Sequence, residues 1–321
     1  MTSDPEAPAQ DRAAPLAEAA LTDLARAKVN LFLHVRGRRP DGRHTLESLA
    51  VFPEIGDVME AERSPILSLS LDGPFALGLG SGEDNLALRA VAALSAALPE
   101  GPPCGVALRL DKRLPVASGI GGGSADAAAT LRLLMRLWGR APDAATLDAA
   151  ALALGADVPV CLASAPAMMG GIGERLSAAP AFPEFWLTLV NPMRMVSTAE
   201  VFAGLARRDN PPADRAPARF GSVGDLAAWL SRQRNDLEAP ARAIAPAIGA
   251  VLGALRWAPD CLLARMSGSG ATCFGIFPTE AAACAAADAI RAQEPGWWAA
   301  PARVKAHDGA PAAPDWTQPL S

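Results

Sequence analysis

The stretch that most restricts how this chain can fold runs from Leu114 to Trp138, LPVASGIGGGSADAAATLRLLMRLW. A short loop holding Gly119 and then Gly121-Gly122-Gly123 passes without a break into good helix formers, which predicts a helix from about Ala125 to Trp138. Glycine lets backbone come close to a ligand and take positive φ without a steric penalty. A helix start presents unpaired N–H groups and the positive end of a dipole. Together they make an anion site, and phosphate is the expected anion. An ordinary tight turn before a helix is the competing reading of this stretch alone.

A phosphate cradle needs a cation, and the chain as a whole does not supply one. Its formal net charge is −5 over 321 residues. That balance argues against general binding to nucleic acid or to an anionic membrane, both of which favour basic surfaces. Local donors must therefore make the field. The length suits two domains, and an apolar fraction of 50% can fill their cores. The five cysteines, Cys104, Cys161, Cys261, Cys273 and Cys284, contain no C-x-x-C pair. Free buried thiols in a reducing cytoplasm are expected, and neither a structural zinc site nor another protein metal site is. No apolar run reaches membrane-spanning length. The Ala/Pro-rich ends, residues 1–22 and 307–321, read as mobile tails.

Upstream of the loop, Ala25 to Arg36 alternates apolar and polar residues, which predicts one strand with one buried face. Lys28 and Asn30 then point the same way, roughly 7 Å apart. Pro40-Asp41-Gly42 is a turn that projects Arg43 and His44. Further strands are expected within Leu46–Glu62, with Gly56-Asp57 as a turn, and over Leu67–Leu71 and Gly105–Leu110. Asp84 is the expected N-cap of a helix to Leu98, and a second helix spans Asp143–Leu154. In GADVPV, Asp157 stands in a stiff turn two residues before Pro159. A composition change near Ala178–Pro183 divides the chain into domains 23–180 and 181–306. The second has strands at Phe185–Asn191, Leu262–Met266, Thr272–Phe277 and Gly296–Val304, a long helical region from Asn235 to Trp257, and a helix over Thr279–Ala292. Arg207–Phe220, rich in Pro, Arg and Asp, reads as an exposed insertion loop.

Three separated stretches, AKVN at Ala27–Asn30, PVASGIGGGSADAA at Pro115–Ala128 and MSGSGATCFGIF at Met266–Phe277, resemble the three motifs of the GHMP kinase family. RRPDGRH, GADVPV and RNDL at Arg234–Leu237 narrow the resemblance to the branch that acts on a cytidine-diphosphate-linked methylerythritol. It covers about residues 24–305. The resemblance implies an α+β, two-lobed fold: an N-terminal lobe like ribosomal protein S5 and a C-terminal ferredoxin-like α/β sandwich. It implies ATP and Mg²⁺ as cofactors, a small-molecule partner, and phosphorylation of the 2-hydroxyl of the methylerythritol unit. Oligomeric state is left open.

By the same resemblance the catalytic residues are Lys28 and Asp157, with Asp157 accepting the hydroxyl proton. Pro115, Val116, Ala117, Ser118, Gly119, Ile120, Gly121, Gly122, Gly123, Ser124 and Ala125 would hold ATP. The loop lacks the Gly-Lys-Ser/Thr end of a Walker loop, so Lys28 is the candidate cation. Asn30 would face the erythritol or phosphates, and His44 the cytosine edge, for which imidazole offers a donor and an acceptor. Phe202 would stack on the base. The family usually has a tyrosine before that histidine; here Arg43 stands there, and the chain contains no tyrosine. A guanidinium can stack on a base in its place. Ser267, Gly268 and Gly270 would support substrate or phosphate from the second lobe, while Asn235 and Asp236 either brace the site or cap a helix. A homoserine- or mevalonate-type kinase and a non-catalytic nucleotide-binding module are the alternatives.

Overall fold

The computed structural model describes residues 20–77, 79–80, 82 and 84–311; most of both expected tails lies outside them. The chain opens with β1 (Leu21–Arg26) and β2 (Val29–Arg38). The single strand expected over Ala25–Arg36 is thus two, broken at Ala27-Lys28 and placed in different sheets. Both faces of β2 are covered, so Asn30 and His34 are as buried as Val29 and Leu31. β3 (His44–Val51) pairs antiparallel with β2, with a register shift between Asn30 and Phe32. Gly56 does not turn the chain. It starts β4 (Gly56–Ser64), where a Cβ would lie 2.3 Å from the Ala25 carbonyl oxygen, so only glycine lets β4 lie this close to β1.

β5 (Ser68–Asp72) precedes α1 (Leu86–Ala97), whose cap is Asn85, one residue later than expected; its side chain accepts from Ala87 N–H. β6 (Gly105–Asp111) leads through the glycine loop into α2 (Gly122–Trp138). This helix begins three residues before the expected start, from a left-handed cap at Gly121. α3 (Ala144–Leu154) is capped by Asp143. The stiff turn at Asp157 leads into α4 (Val158–Ala163), for which Asp157 is the cap residue; at the second helical position the missing N–H of Pro159 costs nothing. β7 (Ala167–Gly170) and β8 (Arg175–Ala178) close the first half.

The rest comprises β9 (Phe185–Asn191), α5 (Thr198–Ala203), α6 (Val223–Ser231), α7 (Glu238–Ile244), α8 (Ala247–Trp257), β10 (Leu263–Met266), β11 (Cys273–Phe277), α9 (Glu280–Gln293) and β12 (Trp298–Val304). The helical region expected from Asn235 starts later and splits at Ala245-Pro246, since proline cannot donate into a continuing helix.

Among the described residues the strands form three four-stranded sheets, ordered β1-β4-β6-β5, β2-β3-β7-β8 and β10-β11-β9-β12. α2 packs on α1, α4 and the first sheet. Its fully buried Ala127, Ala128 and Ala129 allow that close approach, and Arg132 makes a paired contact with Asp23 at 2.9 and 3.1 Å. α8 and α9 cover the third sheet. One core joins Leu31, Leu49 and Ile120 to Phe185, Phe274 and Trp229, so packing runs across the boundary drawn at residue 180. β1 includes Leu21 and Thr22, and His307 exchanges backbone hydrogen bonds with Phe182, so the ordered body reaches into both expected tails.

The segment 207–220 has no helix or strand, yet it is tied down. Asn210 donates to the Val35 carbonyl, Ala213 N–H to Glu47 at 3.1 Å and Asp214 N–H to Gln233 at 3.1 Å, and Phe220 is buried.

Candidate active site

A cavity of about 1450 Å³ lies against the glycine loop, large enough for two small substrates. The loop's carbonyls are pinned on its far side. Thr272 N–H donates to Ser118 O at 3.0 Å, Ser267 Oγ to Gly119 O at 3.2 Å, and Lys28 N–H to Ile120 O at 2.9 Å. In a trans peptide the next residue's N–H points opposite its carbonyl. The amides of Gly119, Ile120 and Gly121 therefore face away from those donors, and no acceptor among the described residues takes them. The first turn of α2 adds its own unpaired N–H groups. The loop is held by contacts from two distant parts of the chain, Lys28 and the Ser267–Thr272 turn.

The loop meets the Ser267–Ala271 turn backbone to backbone. A Cβ at Gly119 would lie 2.5 Å from Gly270 O, and one at Gly268 would lie 2.7 Å from Gly119 O. Both glycines have positive φ, +73° and +53°. Asn235 holds that turn by donating to Met266 O and Gly268 O, each at 2.8 Å, while its Oδ1 accepts from Leu237 N–H. It braces the turn and serves the start of α7 as well.

Lys28 Nζ lies 2.8 Å from Asp157 Oδ1. Asp157 occupies the cap position of α4 but makes no capping hydrogen bond; its carboxylate turns to Lys28 and the cavity. Lys28 is buried, whereas the Asp157 side chain is 38% exposed. Nearby, Asn30 Nδ2 donates to Ser48 Oγ at 2.7 Å, and Asn30 Oδ1 is buried without a partner among the described residues. At the far end His44 stacks on Phe202, with ring centroids 4.9 Å apart and planes 18° apart. His44 Nε2 also has no partner among the described residues. Burial, then the charges of Arg38 and Arg208, push the imidazole below its usual pKa.

Not every expected residue reaches the cavity. Lys28, Asn30, Arg43, His44, Asp157, Phe202, Gly268, Pro115–Gly119 and Gly121–Ser124 line it. The Ile120 side chain instead fills the core, and Ala125 N–H makes the first helical bond to Gly121 O. Ser267 is buried as a brace, accepting from Asn30 N–H at 3.1 Å, and Gly270 is spent on contact with Gly119.

Sequence reading missed the groups beneath the loop. Lys112 Nζ bridges Asp57 at 2.5 Å and Asp126 at 2.7 Å, directly under Gly122, where a Cβ would lie 3.2 Å from it. Asp57 also accepts from the N–H groups of Arg113 and Leu114, so it fixes the entry to the loop. Burial pushes Asp126 up to about 7, with Lys112 opposing and Asp57 adding. Lys112 and Arg113 are adjacent in the sequence, and nothing local marks Asp57 and Asp126 as the partners of Lys112.

A mixed α and β body with a glycine loop of unpaired amides beside a lysine–aspartate pair fits a small-molecule kinase. The chain belongs to the GHMP kinase family: the model of the GHMP kinase N-terminal domain matches residues 85–165 and that of the C-terminal domain residues 215–296. Closer relatives are more specific. A 4-diphosphocytidyl-2-C-methyl-D-erythritol kinase of Cereibacter sphaeroides is 56% identical over 284 residues, 88% of this chain and 98% of that protein. One from Paramagnetospirillum magneticum is 52% identical over 87% of this chain and 97% of its own length. A crystal structure of 4-(cytidine 5'-diphospho)-2C-methyl-D-erythritol kinase superposes with a TM-score of 0.70 at 34% identity, covering 88% of this chain and 99% of that one.

Proposed function

We propose that this enzyme transfers the γ-phosphoryl group of ATP to the 2-hydroxyl of 4-diphosphocytidyl-2-C-methyl-D-erythritol, giving the 2-phosphate and ADP. The observation that carries the reading is the Lys28–Asp157 pair, 2.8 Å apart, opening into the same cavity as the glycine loop and His44. Relatives of that name above 50% identity support the substrate.

Phosphoryl transfer asks the protein chiefly for positioning and charge stabilisation. The freed amides of the loop bind the ATP phosphates, each such charge-assisted hydrogen bond contributing about 1.5–3 kcal/mol. Asp157 orients the substrate hydroxyl and takes its proton as the oxygen bonds to the γ-phosphorus. The bond from that phosphorus to the β–γ bridging oxygen breaks, and its electron pair leaves with ADP. Lys28 offsets the charge on the equatorial oxygens. The Ser124 hydroxyl and the Asp157 oxygen not paired with Lys28 are hard donors of the kind Mg²⁺ takes alongside phosphate. Mg²⁺, when bound with ATP, supplies neutralisation of phosphate charge.

Asn30 Oδ1 accepts from the erythritol, and His44 reads the cytosine edge. Arg43, exposed at the cavity rim, lies on the base opposite Phe202, which leaves His44 as the base enters. The division at residue 180, into an ATP-holding lobe and a bracing lobe, belongs to the same proposal. So does a cytoplasmic location, which the five free thiols suit. Among the described residues no helix is long and apolar enough to cross a membrane.

An ADP-release assay with the CDP-linked substrate, with and without Mg²⁺, tests the reading. Turnover that needs both is expected. Faster turnover of homoserine or mevalonate would overturn it.

A further inference from the structure

The arginines at the His44 end of the cavity are partnered unequally. Arg36 pairs with Glu47 at 3.4 Å and Arg39 with Asp41 at 3.1 Å. Arg38 and Arg208 border the cavity, and neither meets a carboxylate among the described residues. Arg38 Nε donates only to the Gly42 carbonyl, at 3.1 Å. In a chain with 34 acidic residues and a net charge of −5, these two guanidinium groups, with Arg43 a third that meets no carboxylate among the described residues, call for an anion at the cavity rim.

Their positions are built from opposite sides. Arg38 ends β2 and stands across from His44 in the ladder with β3. Arg208 comes from the segment that follows α5. That segment is clamped two residues later, where Asn210 donates to Val35 O from both its backbone and its side chain, at 3.2 and 3.1 Å, and its own carbonyl accepts from Arg36. Arg234 adds a hydrogen bond to Pro211 O at 2.7 Å. The insertion is thus a strap that carries Arg208 to the mouth, between the Phe202 helix and the end of β2. The fields of both cations are felt at His44, whose imidazole they depress after burial does.

We infer that Arg38 and Arg208 form a guanidinium clamp for the diphosphate that links cytidine to the rest of the substrate. The inference rests on the proposed substrate. The base is read at His44 and Phe202 and the reacting hydroxyl at Asp157, so the linking diphosphate leaves the base from the His44 end, where both arginines border the cavity. Planar guanidinium forks match phosphate oxygens in pairs. The ATP phosphates are served separately, by the glycine loop. The 207–220 strap is then a specificity element: it lets the enzyme distinguish a nucleoside diphosphate from a bare nucleoside.

The test is calorimetric titration of the intact enzyme with CDP, CMP and cytidine, with a non-hydrolysable ATP analogue saturating the loop. The variants are Arg38→Gln, Arg208→Gln and the double substitution, each with a thermal midpoint to confirm folding. The side chains are exposed, so folding should be retained. The wild type should prefer CDP to cytidine, and each substitution should cut that preference by roughly tenfold, leaving cytidine affinity unchanged. Raising the salt concentration should weaken CDP binding in the wild type more than in the double variant. A CDP-to-cytidine ratio that the double variant retains overturns the clamp, as does absence of CDP binding by an enzyme that turns the substrate over. Absence of turnover in the ADP-release assay overturns the functional reading instead, and a ratio that collapses in the double variant sustains the clamp even then.

Discussion

Replacing Gly119 by alanine tests whether the two glycine loops are mechanically one unit. The new Cβ would stand 2.5 Å from Gly270 O and 2.7 Å from both Gly270 N and Ser267 O. All three are backbone atoms, so no side chain can swing aside. The position also holds φ at +73°, which costs an alanine about 1–2 kcal/mol. To relieve the overlap the backbones must part by roughly 0.5–1 Å, enough to lose the bonds Thr272 N–Ser118 O and Ser267 Oγ–Gly119 O at about 1 kcal/mol each. The expected loss is about 3–4 kcal/mol. Gly139→Ala separates the two causes: it has φ +62° but nothing within 4 Å, so it should cost only the conformational term, about 1–2 kcal/mol. Urea unfolding of both variants gives the difference, and the KM for ATP should rise at least tenfold in Gly119→Ala alone. If the two variants lose equal stability and bind ATP alike, the loops do not brace each other as argued.

Asp157→Asn keeps the shape of the side chain but not its basicity; kcat should fall by about 10²–10⁴ with little change in KM, and a near-normal kcat would remove Asp157 from the mechanism. Lys28→Ala should lower kcat as well, through loss of charge stabilisation. Arg43→Ala should raise KM for the cytidine substrate and leave KM for ATP alone; an unchanged KM would mean Phe202 stacks unaided. Asp126, raised to about 7 by burial first, should favour the folded state when protonated. That contribution is present below its ordinary value of 3.8 and is lost as pH rises through about 7. Urea stability of the wild type relative to Asp126→Asn should therefore decline between pH 4 and 8, and parallel profiles would contradict the assignment.

What could be read in advance divides by the range of the interaction. The glycine loop and the helix start behind it were legible because their evidence is local: glycine where φ is positive at Gly121, then small residues and good helix formers. The terminal α/β alternation from Leu263 to Val304 was legible for the same reason, since period and turn residues coincide there. Alternation misled at Ala25–Arg36. A period of two tells one buried face from one exposed face, but β2 is covered on both, and the break at Ala27-Lys28 comes from the backbone bond that Lys28 makes to Ile120 O. The brace at Asn235 spans 31 and 33 residues, and the Lys112–Asp57 contact spans 55. No window over the chain shows such pairs. Lys28 and Asp157 came from resemblance, not from spacing; only the fold brings residues 129 positions apart to 2.8 Å.

The same long contacts decide which cations of an acidic chain stay available to an anion. Its net charge of −5 is a statement about the whole surface, whereas binding depends on which cations the fold leaves unspent. Lys112 is fully engaged by two carboxylates, so it shapes the floor of the cradle more than it supplies field. Lys28 is shared with one carboxylate, which ties its charge to the place where the hydroxyl must react. Arg38 and Arg208 meet no carboxylate among the described residues, and both border the cavity. The loop amides add donors that carry no net charge and need no counterion. This grading of cations, from locked to shared to free, follows depth: an unpaired charge is costly in the interior and cheap at the rim. Net charge therefore excludes a broad electrostatic surface here without excluding a phosphate site.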